Sequence, residues 1–407
     1  MNGNADRHLL AINAGSSSLK AALYGMDTGQ PLVLAINVER IGGAAGGHLR
    51  VRDGSGATIV ERAQDVRDYQ SALTVLFAAL GEHEAVGGLA AVGHRIVHGG
   101  PQRWQPQRVS PALLDELRDM VPLAPDHMPQ ALAGIEHVSR AWPSLPQVAC
   151  FDTAFHRPLP PPARRFALPQ RLHDEGVIRY GFHGLSYESI IHQLRAIDPS
   201  AAAARVIVAH LGNGASMAAI AGGASIDTTM GYTPNSGLVM GTRSGDIDPG
   251  VLLHLLAAGR MTPQALVTLL DEQSGLLGVS GSSGDMRDLL AAESTDPHAA
   301  AAIALFCYRA KKYLGAFAAV LGGLDTVVFT GGIGEKAAAI RERICADLEF
   351  IGIGLDPEAN RNHAPVISRR GSAVRVRVMM TNEEAMIARN AIELLDLQLD
   401  LNESIHV

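Results

Sequence analysis

Ala11-Ile12-Asn13-Ala14-Gly15-Ser16-Ser17-Ser18-Leu19-Lys20-Ala21-Ala22-Leu23 and Val208-Ala209-His210-Leu211-Gly212-Asn213-Gly214-Ala215-Ser216-Met217-Ala218-Ala219-Ile220 read as two copies of one segment. Each begins as an apolar strand, turns sharply through Gly, Ser or Asn, and returns as a second apolar strand. Gly15 aligns with Gly212, an offset close to half of the 407 residues. Two unrelated β-hairpins would give the same local pattern, whereas an internal duplication also accounts for the offset. A third apolar strand ends in glycines at Asp325-Thr326-Val327-Val328-Phe329-Thr330-Gly331-Gly332-Ile333-Gly334, and a helical pattern follows over 335–348. Strands alternating with helical stretches predict an α/β fold.

Working outward, Asp296 is placed to cap a helix with Pro297 in its first turn. The Ala-rich block 299–302 leads into a long helix over 303–321 whose composition predicts burial. Residues 382–397 read as a final helix capped by Asn382 or Thr381. The Pro-rich 158–162 and Gly-rich 221–223 read as loops.

Composition narrows the function classes. Apolar residues make up 47% and charged residues 18%, enough for a large core. A net charge of −7 and 4% aromatic residues argue against nucleic acid and anionic membranes as partners. The longest apolar stretch, 313–324, is about 12 residues, short of the roughly 20 that span a bilayer. No basic segment leads into an apolar one at the N-terminus, so no signal peptide is expected and a cytoplasmic location is. Cys150, Cys307 and Cys345 lack CxxC spacing, which disfavours disulfide scaffolding and thiolate zinc.

Glycine-rich turns let backbone N–H groups converge on phosphate oxygens. Three occur, at 13–20, 210–216 and 330–335. None is a Walker A loop, because the glycine positions before Lys20 hold Ala14 and Leu19, and those before Lys336 hold Thr330 and Glu335. Nor is 212–217 a dinucleotide fingerprint, since Met217 stands at the third glycine position. Each alone is a plain turn. Three at comparable strand ends, two of them in a duplicated frame, point to a polyphosphate held between two related domains. Polar residues in apolar surroundings accompany them: His94-Arg95-Ile96-Val97-His98, Phe151-Asp152-Thr153, Tyr180-Gly181-Phe182-His183, and Thr242-Arg243-Ser244-Gly245-Asp246-Ile247-Asp248. Taken singly, His94, His98 and His156 read as core histidines, and Asp246 and Asp248 as turn or cap residues.

The strings 13–20, 93–100, 151–156, 180–184, 210–216, 237–249, 274–278, 329–335 and 381–384 run in order through most of the chain. Together they resemble the acetate and propionate kinase family of the actin-like ATPase superfamily. The resemblance implies an α/β fold of two duplicated actin-like (ribonuclease H-like) domains with an interdomain cleft. Their expected extents are residues 1–152 plus 384–407, with the C-terminal helix returning to the first domain, and 153–383. It further implies reversible, Mg²⁺-dependent transfer of the γ-phosphoryl group of ATP to acetate, giving acetyl phosphate and ADP, by a homodimer. Mn²⁺ is the alternative metal.

The same resemblance assigns residues. Asp152, Arg95, Arg243 and His183 match catalytic positions. Arg95, Val97, His127, Phe182 and Pro234 match the substrate pocket for acetate or another short-chain carboxylate and its acyl phosphate. Lys20, His210, Leu211, Gly212, Asn213, Gly214, Asp285, Met286, Arg287, Gly331, Gly332, Ile333, Gly334 and Glu335 match nucleotide-contacting segments, and Asn13 and Glu383 match metal positions. The acceptor carboxylate is already ionised at neutral pH, so Asp152 has no proton to remove. Its expected role is to orient Mg²⁺ or its waters and to keep Arg95 in place. Direct in-line transfer needs fewer steps than a phosphorylated His210.

The chain departs from the family's usual pattern in three places. Asp126, in Leu123-Ala124-Pro125-Asp126-His127, replaces a leucine that lines the methyl pocket; Pro234-Asn235-Ser236 lacks the usual Leu-Glu after the proline. Gly184-Leu185-Ser186-Tyr187 stands for Gly-Thr-Ser-His. With the nucleotide and metal motifs intact, these departures weaken the expectation for the acyl substrate more than that for the kinase. The competing expectations are a propionate or other short-chain acyl kinase and, more remotely, an actin-like ATP-driven binding protein.

Overall fold

The computed structural model describes residues 7–15, 18–26, 29–42, 46–125, 127–257 and 259–403, with side chains to residue 395. Ser16, Ser17 and Asp126 lie outside the described residues. The chain divides into two compact units, Met1–Ala154 with Asn382–Val407, and Phe155–Thr381.

The first unit is built on β1 (His8–Ala14), β2 (Ser18–Gly25), β3 (Leu32–Glu39), β4 (Gly47–Asp53), β5 (Thr58–Gln64), β6 (Leu89–Ile96), β7 (Gln107–Arg108) and β8 (Gln147–Phe151). They form one sheet in the order β5-β4-β3-β2-β1-β6-β8-β7. β1 runs antiparallel to β2 and parallel to β6, and β6 runs parallel to β8. β1 and β8 are buried along nearly their whole length, as expected of strands covered on both faces. One face carries the helix Tyr69–Gly81, opened by a capping box at Asp68 and packed on Leu10, Leu19, Leu23 and Leu34. The C-terminal helix Glu383–Glu403 packs on the sheet through Ile387 and Ala391. A Cβ at Gly93 of β6 would lie 2.6 Å from Ile387 Cγ2, so the close approach of this helix requires glycine there. Asn382 Oδ1 caps the helix at Ala385 N, 2.9 Å away.

In the second unit β9 (Arg205–Leu211), β10 (Ala215–Ala221), β11 (Ala224–Thr228), β12 (Thr326–Thr330) and β13 (Arg375–Val378) form a sheet in the order β11-β10-β9-β12-β13. β9 is antiparallel to β10 and parallel to β12, and β12 is parallel to β13. This reproduces the order and directions of β3-β2-β1-β6-β8. The repeated sequences are therefore β1–β2 and β9–β10, in equivalent places of the five-strand order that the two sheets share.

The helix Pro297–Val320 begins at Asp296, whose side chain accepts from His298 N at 2.8 Å. Two expectations need correction. The helical stretch expected over 335–348 is two helices, Gly331–Lys336 and Ala338–Cys345, broken at Ala337. Arg341 Nη1 donates to the carbonyls of Gly334 and Glu335, at 2.8 and 2.9 Å, which satisfies groups the break exposes. Within the expected loop 158–162, Pro161–Arg164 forms a helical turn, started by prolines that suit its first positions. Among the described residues no helix is long and apolar enough to cross a membrane.

Candidate active site

In the first unit three strand ends and one helix start deliver polar side chains to one place. Asn13 comes from the end of β1, Arg95 from β6, Asp152 from just past β8, and Glu383 and Glu384 from the first turn of the C-terminal helix. Arg95 Nε and Nη2 donate to Asp152 Oδ2, at 3.0 and 2.5 Å, and Nη1 donates to Asn13 Oδ1 at 3.2 Å. Asn13 Nδ2 donates to Glu383 Oε2 at 2.9 Å and to Glu384 Oε1 at 2.8 Å. The carboxylate of Asp152 is almost wholly shielded, and the Arg95 side chain is 11% exposed. Burial acts to lower the Arg95 pKa, but Asp152, Glu383 and Glu384 outweigh it and hold the guanidinium firmly protonated. Lys20 on β2 pairs in register with Asn13, its side chain exposed. Val97 is buried just beyond β6, and His127 precedes the helix Met128–Ala141.

Glu383 and Glu384 present hard carboxylate oxygens side by side; Asn13 faces them through Nδ2, while its Oδ1 accepts from Arg95, so its oxygen would join them on a turn of the amide. Among the described residues no group of three or more His, Cys, Asp or Glu side chains is arranged to hold a metal. A cation here would take one or two protein oxygens and keep its waters and phosphate ligands. That suits Mg²⁺, which dehydrates reluctantly.

In the second unit the turn Tyr180-Gly181-Phe182-His183 ends in a left-handed residue, His183, at φ 58° and ψ 26°, which starts the helix Gly184–Ile197. His156 lies beneath this turn: its Nε2 donates to Phe182 O at 3.0 Å, and a Cβ at Gly181 would lie 2.5 Å from its Cδ2. His183 stacks on His210, ring centroids 4.3 Å apart. Ser216 Oγ is 2.8 Å from His183 Nδ1, and Ser186 Oγ is 2.8 Å from His210 Nδ1. A Cβ built on Gly214 would lie 3.4 Å from His183 Nε2 and 3.6 Å from Arg243 Nη2, so both cationic or donor groups face the β9–β10 turn. Arg243 Nη1 donates to Pro234 O at 2.9 Å.

The other glycine segments meet the same turn. Gly241 N donates to Asn213 O at 2.8 Å, and a Cβ at Gly241 would collide with Asn213 Oδ1. One at Gly284 would lie 2.9 Å from Gly241 O, which brings the Asp285-Met286-Arg287 segment alongside. Asp285 caps its own helix at Arg287 N and pairs with the exposed Arg287 side chain. Gly331, at φ 77°, presses on Leu211, and its N–H donates to Glu335 Oε1 at 3.0 Å. Phe182 is buried and Pro234 half-buried.

Each unit thus gathers its share of the residues singled out from the sequence. Asn13, Arg95, Asp152 and Glu383 form one network; His183, Arg243, 210–214, 284–287 and 331–335 surround one turn. Sequence reasoning passed over Glu384, Ser186, Ser216 and Tyr187, all inside quoted motifs but lacking a spacing rule. Asp246 and Asp248 are turn residues: their carboxylates accept from Gly237 N and Gly250 N, at 2.8 and 2.6 Å.

Residues 8–389 match the acetokinase family. A relative named acetate kinase, from Methylocella silvestris, is 46% identical over 96% of this chain and 98% of its own length. Among solved structures, acetate kinase from Porphyromonas gingivalis matches with a TM-score of 0.82 at 38% identity, covering 96% of this chain and 100% of that one. A propionate kinase from Francisella tularensis matches with a TM-score of 0.86 at 36% identity, covering 94% and 98%.

Proposed function

This chain belongs to the acetokinase family, and from that premise we propose that it reversibly transfers the γ-phosphoryl group of ATP to acetate, yielding acetyl phosphate and ADP. The observation that carries the reading is the convergence of His183 Nε2 and Arg243 Nη2 on Gly214, in the turn of a phosphate-type glycine loop. Phosphoryl transfer asks the protein for positioning and for positive charge around the equatorial oxygens. Arg243 and His183 supply donors of that kind. The segments 210–214, 285–287 and 331–335 bind the nucleotide, and the family likeness adds Lys20 in the first unit as a further contact.

Acetate is ionised at neutral pH and needs no general base. Arg95 offers acetate its positive charge and the donor capacity that Asp152 leaves on Nη1 and Nη2, and Asp152, which takes Nε and Nη2, holds the guanidinium in orientation rather than moving a proton. Asn13 and Glu383 hold Mg²⁺, which when bound neutralises charge on the phosphate oxygens. The family likeness supports Val97 and His127 in the first unit, and Phe182 and Pro234 in the second, as the residues that contact the acyl group. Transfer is direct and in line, with His210 as a contact and not a phosphorylated intermediate. The family likeness also supports a cytoplasmic homodimer.

Likeness to a propionate kinase structure favours a second substrate. One methylene in an apolar pocket is worth about 1–3 kcal/mol, so propionate should react about 10- to 200-fold less well in kcat/KM. The test is acyl phosphate formation from MgATP with acetate, propionate and butyrate, trapped as hydroxamates. Acetate giving the highest kcat/KM supports the proposal. ATP hydrolysis stimulated by peptides, with no hydroxamate from any carboxylate, would replace it with an ATP-driven binding protein.

A further inference from the structure

The two stacked imidazoles beside the glycine turn are each held at Nδ1 by a serine hydroxyl, and one of those serines is held in turn by a tyrosine. Ser216 Oγ is 2.8 Å from His183 Nδ1 and is hydrogen-bonded to Tyr187 Oη. Ser216 and Tyr187 are completely buried. We propose that Tyr187 and Ser216 are positioning residues that fix His183 as the tautomer with its proton on Nε2, so that a neutral imidazole donates a hydrogen bond to the transferring phosphoryl group. The inference deepens the kinase reading and rests on it for the identity of that group.

A hydroxyl has one proton to give and lone pairs to accept with. Three proton arrangements satisfy the line Tyr187–Ser216–His183. In one, the phenol donates to Ser216 and Ser216 donates to Nδ1, which leaves the ring proton on Nε2. In a second every bond is reversed, and in a third Ser216 accepts from both the phenol and an Nδ1–H; in both of these Nε2 carries a lone pair. The phenol is the more acidic hydroxyl, hence the better donor, which disfavours the second arrangement. The geometry at the other end separates the first from the third. Nε2 and Arg243 Nη2 lie 3.4 and 3.6 Å from a single point above Gly214. A lone pair there would oppose the anionic group that the guanidinium attracts, whereas an N–H adds a second donor. Orientation of a histidine by a group on its other nitrogen is a general device. Ser186, 2.8 Å from His210 Nδ1, holds the neighbouring ring in the same way. Tyr187 stands where the family pattern has histidine, so this chain replaces a group that can titrate with one that stays a neutral donor.

The Tyr187 ring also packs edge-on against His156, with centroids 5.6 Å apart, so Tyr187→Phe removes the hydroxyl and keeps the packing. The experiment is long-range ¹H–¹⁵N NMR of protein labelled in its histidine rings, with His183 assigned from a His183→Asn sample, alongside steady-state kinetics. The wild type is expected to show the Nε2–H tautomer at His183. Tyr187→Phe and Ser216→Ala are expected to shift it toward Nδ1–H and to lower kcat about tenfold, the worth of one hydrogen bond, with both KM values within about twofold. Ser216→Thr, which keeps the hydroxyl, should restore tautomer and rate. An Nδ1–H tautomer in the wild type, a tautomer unmoved by Tyr187→Phe, or a shifted tautomer with unchanged kcat would overturn the proposal. If no acyl phosphate forms even in the wild type, the kinase reading fails, and the tautomer alone decides whether Tyr187 and Ser216 set the ring.

Discussion

Arg95 and Asp152 share a single carboxylate oxygen: Nε and Nη2 both donate to Asp152 Oδ2, at 3.0 and 2.5 Å, in a nearly solvent-free setting. A carboxylate so committed acts as a strut for the guanidinium. Removing one partner of such a buried pair costs about 3–5 kcal/mol, while replacing both with apolar groups is often neutral. Arg95→Ala is therefore expected to lower both stability and activity. The double variant Arg95→Met with Asp152→Leu should recover most of the stability and none of the activity. Denaturant melts together with acyl phosphate assays check this. Activity recovering along with stability would mean that Arg95 serves the fold alone.

Gly214→Ala probes the space shared by His183 and Arg243. The added methyl meets Nε2 at 3.4 Å and Nη2 at 3.6 Å, ordinary van der Waals contacts, and Gly214 has no left-handed backbone to strain. Melting temperature should change little. kcat/KM should fall about 10²-fold or more, because the methyl occupies the place where donors and phosphoryl oxygens meet. Arg243→Ala should cost about 10³- to 10⁵-fold, the range of a transition-state arginine. A fully active Gly214→Ala variant would place the reaction elsewhere.

Two buried histidines are expected to weaken the fold as pH falls. Burial pushes His94, hydrogen-bonded to Gln147, and His156, bonded to Ser225 and Phe182 O, down from 6.5 to about 4. The unfolded chain takes up these protons near pH 6.5, and the folded chain only near pH 4. Their stabilising effect is thus complete above about pH 6.5 and is lost progressively as pH falls toward 4, by about 3 kcal/mol for each ring. Melts from pH 7.5 to 4 should show this slope, and His94→Gln should remove about half of it. A stability flat across that window would contradict the assignment.

Glu383 and Glu384 both accept from Asn13 Nδ2, which keeps two like charges close together at a helix start. Mg²⁺ should relieve that repulsion and raise the melting temperature without nucleotide. Glu383→Gln should abolish the rise and lower kcat/KM for MgATP about 10²-fold, while its metal-free melting temperature holds or increases. Unchanged Mg²⁺ stabilisation in the variant would move the metal away from Glu383.

The duplicated strands were readable because 11–23 and 208–220 pair an apolar period with Gly and Ser turns, and both become antiparallel hairpins at the centre of a sheet. Cap residues Asp296 and Asn382 were readable for a similarly local reason. Arg341 was not. It looks like a surface residue of a helical stretch, yet it is fully buried with no carboxylate, held by the carbonyls of Gly334, Glu335 and Asn360 and by His363. That environment is assembled from distant segments. The helix break at Ala337, which Arg341 supports, was missed for the same reason. The Ser216–His183 and Ser186–His210 pairs join residues 33 and 24 positions apart, and only the folding of β9 and β10 beside the helix Gly184–Ile197 brings them together. Motifs named the candidate residues, and tertiary geometry supplies the side chains that support them.

Stereochemistry at phosphorus bears on the transfer step itself. ATP made chiral at its γ-phosphorus by oxygen isotopes is turned over with acetate, and the configuration of the acetyl phosphate is read by ³¹P NMR. A single in-line displacement onto the carboxylate gives inversion, which is the predicted result. Net retention would require a second displacement, through His210 or another phosphorylated group, and would contradict the account.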